Sequence, residues 1–427
     1  MNRKTRRELR RDKDLVKELY SIIHKYLPEL LTKFEELTDT RHQSYTTYNM
    51  KTICVTRLFG LLCGLTTMTD ITQILETDHS IRNISSITDQ NLDELPYWET
   101  IQDVFININN DELKIIQKYI VKTLLRSKMF DKYRYKQAFQ LLFDGTGLSN
   151  HDYNMNGNCL TRKHSSGKTS YHKYILECKL LVGNIVISLD SEFIENTNIN
   201  SEKQKQDCET KGFKRMIKRI KSNYPKYKFI VTGDALYATT PIIKLCVKYK
   251  WYYLFNLKPD RLKEINEEFE DNISYNNETT HEHYFLSTNI NYKSHPLHVL
   301  KFIEKKNKKE KIFRYITNLI VSHSNIKEII TLGRNRWKIE NEGFYTQKHR
   351  TFNITHLNSR NDNAMKNHYY FIQFAHTIRQ LLEKGSKLVK ELELKIKEVS
   401  IILTRLLTST NSNLTNLETN FQLRFDD

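Results

Sequence analysis

Three acidic side chains, far apart in a chain of 427 residues, stand where chemistry could be done. Asp144 closes an apolar run in the segment Phe143-Asp144-Gly145-Thr146-Gly147. Asp234 closes a second one in Thr232-Gly233-Asp234-Ala235-Leu236-Tyr237. Glu340 interrupts a stripe of Ile326, Ile330, Gly333, Trp337 and Phe344, whose steps of three and four share one face of a helix. A carboxylate on an apolar stripe is costly unless paired or metal-bound, whereas Glu342, about 200° further round, should face solvent. Carboxylates that meet repel one another unless a cation lies between them. Hard oxygen ligands with open positions suit Mg2+ (or Mn2+), which keeps waters and takes phosphate. Two such ions, held ~3.5–4 Å apart, activate a water or a 3′-hydroxyl and stabilise the leaving oxygen of an in-line attack on phosphorus. That chemistry needs no Ser or Cys nucleophile. Arg336, one turn before Glu340, is placed for a phosphate.

Strands and helices must bring these residues together. Residues 138–143 (AFQLLF) read as a buried strand ending in an Asp-Gly turn, with a polar loop over 149–169. Residues 174–182 (YILECKLLV) and 185–189 (IVISL), joined by Gly183-Asn184, read as a hairpin. Residues 207–221 form a basic amphipathic helix, 228–232 a strand, 240–249 a helix opened by Thr240-Pro241, and 251–257 a strand. This order matches the ribonuclease H-like α/β fold, whose mixed sheet has three antiparallel strands extended by parallel ones through crossover helices. Strands one and four are neighbours there, which would set Asp144 beside Asp234.

Around that core, residues 1–135 read as an N-terminal helical domain, with helices over 14–37, 51–65, 69–76 and 111–129. Residues 136–260 read as the first part of the ribonuclease H-like core. Residues 261–313, acidic and Asn-rich and then alternating, read as a β-rich insertion. Residues 314–384 return to the core with the glutamate helix, opened by an Asn325/Glu328 N-cap pair. A helix over 387–408 and a polar, loose tail make up 385–427.

The charge narrows the partner. Lys and Arg total 67 against 50 Asp and Glu, a net +17. The excess clusters at 3–13, 203–228 and 301–314, which is the footprint of a polyanion. No stretch reaches the ~18 apolar residues of a membrane span, and the basic start lacks the apolar stretch of a secretory signal. The six cysteines form no CxxC pair, which speaks against zinc ribbons and for reduced thiols in the cytosol.

Beyond these residue-level readings, the chain resembles the DDE insertion-sequence transposases, which carry an Asp-Asp-Glu triad on a ribonuclease H-like core. The resemblance rests on FDGTG (143–147), GDALY (233–237) and RWKIENEGF (336–344), with LPYWETI (95–101), KQDCE (205–209) and NAMKNHYYFIQFAH (363–376), and spans roughly 95–382. It implies that Asp144, Asp234 and Glu340 are catalytic and bind two Mg2+ (or Mn2+) ions. It also implies that Arg336 and Lys348 hold DNA phosphates, and that the enzyme cuts double-stranded DNA at terminal inverted repeats and joins it to a target. A homodimer in a synaptic complex and a cytoplasmic, nucleoid-associated location follow from the same resemblance. The family's third motif runs Tyr, two residues, Arg, three residues, Glu, six residues, Lys. Here Arg336 and Glu340 keep their interval, but Gly333 stands at the tyrosine position and Gln347 at the lysine position, with Lys348 adjacent. The alternatives are a non-catalytic DNA-binding protein on a decayed transposase scaffold, or a nuclease without strand transfer.

Blander roles compete for several residues. Asp-Gly is a common turn pair, and Glu340 could simply pair with Arg336. Asp207 and Glu209 open a helix, where carboxylates suit the macrodipole, with support of the site as the lesser alternative. Asp190 and Glu192 end the third strand and could approach the metals. His281 and His283 read as surface residues, and Trp337, Tyr252, Tyr253 and Phe255 as core. The basic helix is either a DNA contact or a solvated face.

Overall fold

The computed structural model describes residues 14–155, 158–196, 206–279, 281–306, 309–415, 417 and 420–425. The basic cluster at 3–13 and the start of the one at 203–228 lie outside them. Helices come first: α1 (Leu15–Tyr26), α2 (Leu30–Glu35), α3 (Met50–Leu62), α4 (Met68–Leu75), α5 (Asp78–Thr88), α6 (Trp98–Asn107) and α7 (Asn110–Arg126). Asp14 caps α1 by accepting from the amides of Val16 and Lys17 at 3.0 and 3.1 Å. The periodic stretch 14–37 is two helices, because Pro28 has no amide hydrogen to continue the first. Thr67 and Asp70 form a reciprocal capping box on α4.

Next come β1 (Ala138–His151), β2 (Leu160–Lys163), β3 (Thr169–Val182), β4 (Ile185–Ile194), α8 (Glu209–Asn223), β5 (Lys228–Gly233), α9 (Thr240–Lys248) and β6 (Tyr252–Asn256). They belong to one ten-stranded mixed sheet, ordered β2-β3-β1-β5-β6-β10-β9-β8-β7, with β4 paired to β3. β3 runs antiparallel to both β1 and β4, while β5 and β6 join in parallel. This is the ribonuclease H-like arrangement, and β1 and β5 are neighbours in it. One expectation fails locally: Asp144-Gly145 is no turn. β1 runs through both residues to His151 because its far half pairs with β3 after its ladder to β5 has ended at Leu142↔Thr232.

The segment after β6 extends the same sheet. Its acidic half folds as α10 (Lys263–Asp271) and the short β7 (Tyr275–Glu278); β8 (Glu282–Tyr292), β9 (His295–Lys306) and β10 (Lys309–Thr317) follow as a meander. β10 docks antiparallel on β6, with Thr317 opposite Leu254. Beyond it lie α11 (Ile326–Arg334), a wide π-helical turn (Ile339–Tyr345), α12 (Thr346–His349), α13 (Asp362–Gln380), α14 (Lys387–Glu391) and α15 (Ile396–Ser409). The Asn325 side chain does not cap α11; it accepts from the Ser322 amide at 2.8 Å and donates to the Ile320 carbonyl at 3.0 Å. The single helix expected over 387–408 is broken where Glu393 takes φ +51°. The tail is less loose than its polarity predicts, since Leu423 and Phe425 are buried, the latter 5.6 Å from the Phe130 ring.

α13 is the pillar on which the helical region and the sheet meet. Phe34 stacks on Phe371 at 5.4 Å, Phe105 on His368 at 4.6 Å, and Asn367 donates to the carbonyls of Phe105 and Ile108. From the sheet side, Tyr369 donates to Glu177 and Gln380 bonds both backbone groups of Val186. One continuous apolar core therefore runs from the N-terminal helices to the strands that carry the aspartates. A second cluster, with Leu254, Leu300, Tyr315 and Ile330, packs α11 onto the strands added after β6.

Candidate active site

β1 and β5 carry Asp144 and Asp234 just past the last pair of their parallel ladder. Asp144 is mostly buried, its side chain 20 % exposed. Burial pushes its carboxyl up to about 7; Arg336 opposes this, and the charges of Glu340 and Glu209 add to it. Asp234 accepts from the Leu236 amide at 2.8 Å. Its charge, like that of Asp144, is felt by the phenols of Tyr174 and Tyr237, whose hydroxyls are held far above their ordinary value, first by burial and then by Glu209.

Glu340 reaches the same place from the π-helical turn. One nitrogen of Arg336, Nη1, donates to Glu340 Oε1 at 2.9 Å and contacts Asp144 Oδ2 at 3.4 Å. Arg336 is almost fully buried, whereas the Glu340 side chain is 38 % exposed. The glutamate that the stripe argument singles out is the one paired with Arg336 beside Asp144, yet the helix is not continuous. A turn at Asn335-Arg336 shifts the phase, so Trp337 points outward and is 49 % exposed while Ile339 is buried. Trp337 is thus no core residue; the Arg336 guanidinium lies 4.8 Å from its ring. Glu342 does not face open solvent either, for it forms an ion pair with Lys384.

The two departures from the third motif have structural counterparts. Gly333 leaves room for Tyr315 of β10, and a Cβ there would fall 2.6 Å from that ring. A π-helical turn uses one residue more than an α-helical one, so the residue after the expected lysine position comes round to the site. Lys348 donates to Thr146 Oγ1 at 2.6 Å, two residues from Asp144. Burial lowers its pKa. Gln347 turns inward instead and donates to Gln373 at 2.7 Å.

Other acids sort differently from their sequence readings. Glu209, read mainly as a helix-opening charge, lies at the site, where it receives hydrogen bonds from Tyr174 and Tyr237. The sequence signals for it were the KQDCE motif that it ends and the lesser reading of Glu209 as support of the site. Asp190 pairs with Arg219, Glu192 with Arg215 and Arg219, and Asp207 with Arg215. These carboxylates neutralise the arginines of α8 and are not turned to the aspartates. The cluster at 301–314 is likewise partly neutralised, Lys301 and Arg314 by Glu270 and Lys305 by Glu278. His283 contacts Glu278 and Asn276 on the edge hairpin, away from any ligand set.

The donors present at the site are oxygen ligands suited to a hard divalent cation. Among the described residues no three His, Cys, Asp or Glu side chains close to coordination geometry, and a guanidinium bridges two of the carboxylates. A mostly buried Asp144, raised by two neighbouring carboxylates, is nevertheless a donor whose charged form gains from a cation.

A ribonuclease H-like mixed sheet thus carries Asp144 and Asp234 on adjacent strands, with Glu340 on a helical turn that follows. The family described as "Transposase DDE domain" matches residues 140–378, more than half of the chain, and the chain belongs to that family. It is a DDE transposase of the insertion-sequence type. No curated protein matches the chain. Among the described residues no helix is long and apolar enough to cross a membrane.

Proposed function

We propose that the protein cuts DNA at the inverted ends of its own element and joins those ends to target DNA by phosphoryl transfer, with Asp144, Asp234 and Glu340 holding Mg2+ or Mn2+. The observation that carries this reading is the shared Arg336 nitrogen, which brings Glu340 to Asp144 across 196 positions of chain. When bound, such ions activate the attacking oxygen and neutralise charge on phosphorus. Arg336 and Lys348 then bind non-bridging phosphate oxygens. Arg336 is anchored by burial, and Lys348 is steered by Thr146. The net positive charge favours DNA, whose binding should weaken steeply with salt as counterions are released. A dimer bridging two ends, in the cytoplasm at the nucleoid, completes the reading.

The test uses DNA carrying the terminal inverted repeats that flank the gene. Asp144→Asn should abolish Mg2+-dependent strand cleavage while leaving end binding in a gel-shift assay nearly intact, because the asparagine keeps the size of the side chain and an oxygen that can face Arg336. Unchanged cleavage by the variant would remove the proposal. A pre-cut end with a free 3′-hydroxyl should be joined to target DNA by the wild type; cleavage without joining would leave a nuclease.

A further inference from the structure

The ladder that ties β1 to β5 stops at Leu142↔Thr232, short of both aspartates. Backbone pairing between these strands therefore does not set the separation of Asp144 and Asp234. A side-chain bridge instead links β3, the neighbour that pairs with β1, to the turn after β5. Gly145 follows Asp144, and a Cβ built on it would lie 2.6 Å from Tyr174 Oη and 2.7 Å from the carboxyl carbon of Glu209. Gly233 precedes Asp234, and a Cβ there would lie 2.5 Å from Cδ2 of Tyr237. The two rings fit only because both positions are glycine. Their hydroxyls converge on one carboxylate: Tyr174 donates to Glu209 Oε1 at 2.5 Å and Tyr237 to Oε2 at 2.9 Å. Tyr174 sits on β3 opposite Gly147 of β1, and Tyr237 sits in the turn after β5. Bonds from O–H to an ionised carboxylate are short and about twice as strong as neutral ones.

We propose that Tyr174, Glu209 and Tyr237 form a clamp that fixes the spacing of Asp144 and Asp234, with Glu209 a positioning residue for the divalent-ion site. The inference rests on the proposed metal-binding role of those aspartates. The helix start at Glu209 is thus fastened to β3, the partner strand of β1, and to the turn that carries Asp234 out of β5.

The experiment measures Mn2+ binding to the full-length protein by calorimetry, beside thermal melts, for wild type, Asp144→Asn, Glu209→Gln and the double variant Tyr174→Phe/Tyr237→Phe. The clamp predicts that Glu209→Gln and the double phenylalanine variant each bind Mn2+ about 10–100-fold more weakly, as loss of outer-shell partners does elsewhere, with melting close to wild type. Wild-type affinity in the double variant would overturn the clamp, even with Glu209→Gln impaired, since Glu209 would then act by direct contact with the ion. Wild-type affinity in Glu209→Gln would overturn it as well. Equal Mn2+ binding by wild type and Asp144→Asn would instead refute the metal-binding reading, and the clamp's role with it. If Glu209→Gln fails to fold, the double variant, which keeps every charge, decides the matter.

Discussion

Glu340→Gln should lower Mg2+-dependent cleavage of element-end DNA by about 10³-fold or more, while Glu342→Gln cleaves near the wild-type rate. A metal ion contributes several kcal/mol of transition-state stabilisation, and each 1.4 kcal/mol is tenfold in rate. The neutral amide keeps the size of the glutamate and can still accept from Arg336, so folding should survive and the loss should fall on the chemistry. Glu342, two residues on, is turned to Lys384, whose ammonium also donates to the Asn184 carbonyl. Single-turnover cleavage with 5′-labelled ends separates the two. Equal loss in both variants would mean that the π-helical turn, and not the Glu340 carboxylate, is what the reaction needs.

The second large effect concerns stability. Lys179→Met should lower the free energy of unfolding by about 3 kcal/mol, the lower part of the range for breaking a buried ion pair. Lys179 and Glu177 are fully buried on one face of β3, 3.2 Å apart. Methionine matches the stem that packs under Gly343, so the cavity term is small; Lys179 Cε lies 3.1 Å from a Cβ built there. What changes is that Glu177 loses its counter-charge. Ser188, Ser191 and Tyr369 still donate to it, which keeps the effect from being larger. The double variant Glu177→Gln/Lys179→Met should recover a large part of the loss, because no lone charge then remains inside. Urea unfolding followed by tryptophan fluorescence measures both. A loss below about 1 kcal/mol in Lys179→Met would show that this pair is not paired as charges in the folded protein.

The sheet was legible because its strands are short apolar runs closed by turn residues. Gly183-Asn184 marked the hairpin β3–β4, and the runs before Asp144 and Asp234 marked the two adjacent strands. Where the reading failed, a local signal was overridden by tertiary context. Asp144-Gly145 looks like a turn, yet β3 holds it extended and the glycine makes way for Tyr174. Glu177 and Lys179, to which the sequence reading assigned no role, lie fully buried under α13. The period-3.6 stripe singled out Glu340 and misplaced Trp337, because neither the turn at Asn335-Arg336 nor the π-helical turn leaves a mark in hydrophobic spacing. The same turn explains why Lys348, and not residue 347, reaches Thr146. Glu209 was assigned to its helix terminus, which is local, while its true partners come from β3 and from the turn after β5.

The claim on which everything else depends is that three carboxylates remote in sequence serve one ion site. Diffraction from crystals of the protein with end DNA and Mn2+, collected at the manganese absorption edge, tests it most directly. The account predicts anomalous peaks within coordination distance of Asp144, Asp234 and Glu340. Peaks elsewhere, or peaks at the two aspartates with Glu340 still held on Arg336 and away from the ion, would contradict it.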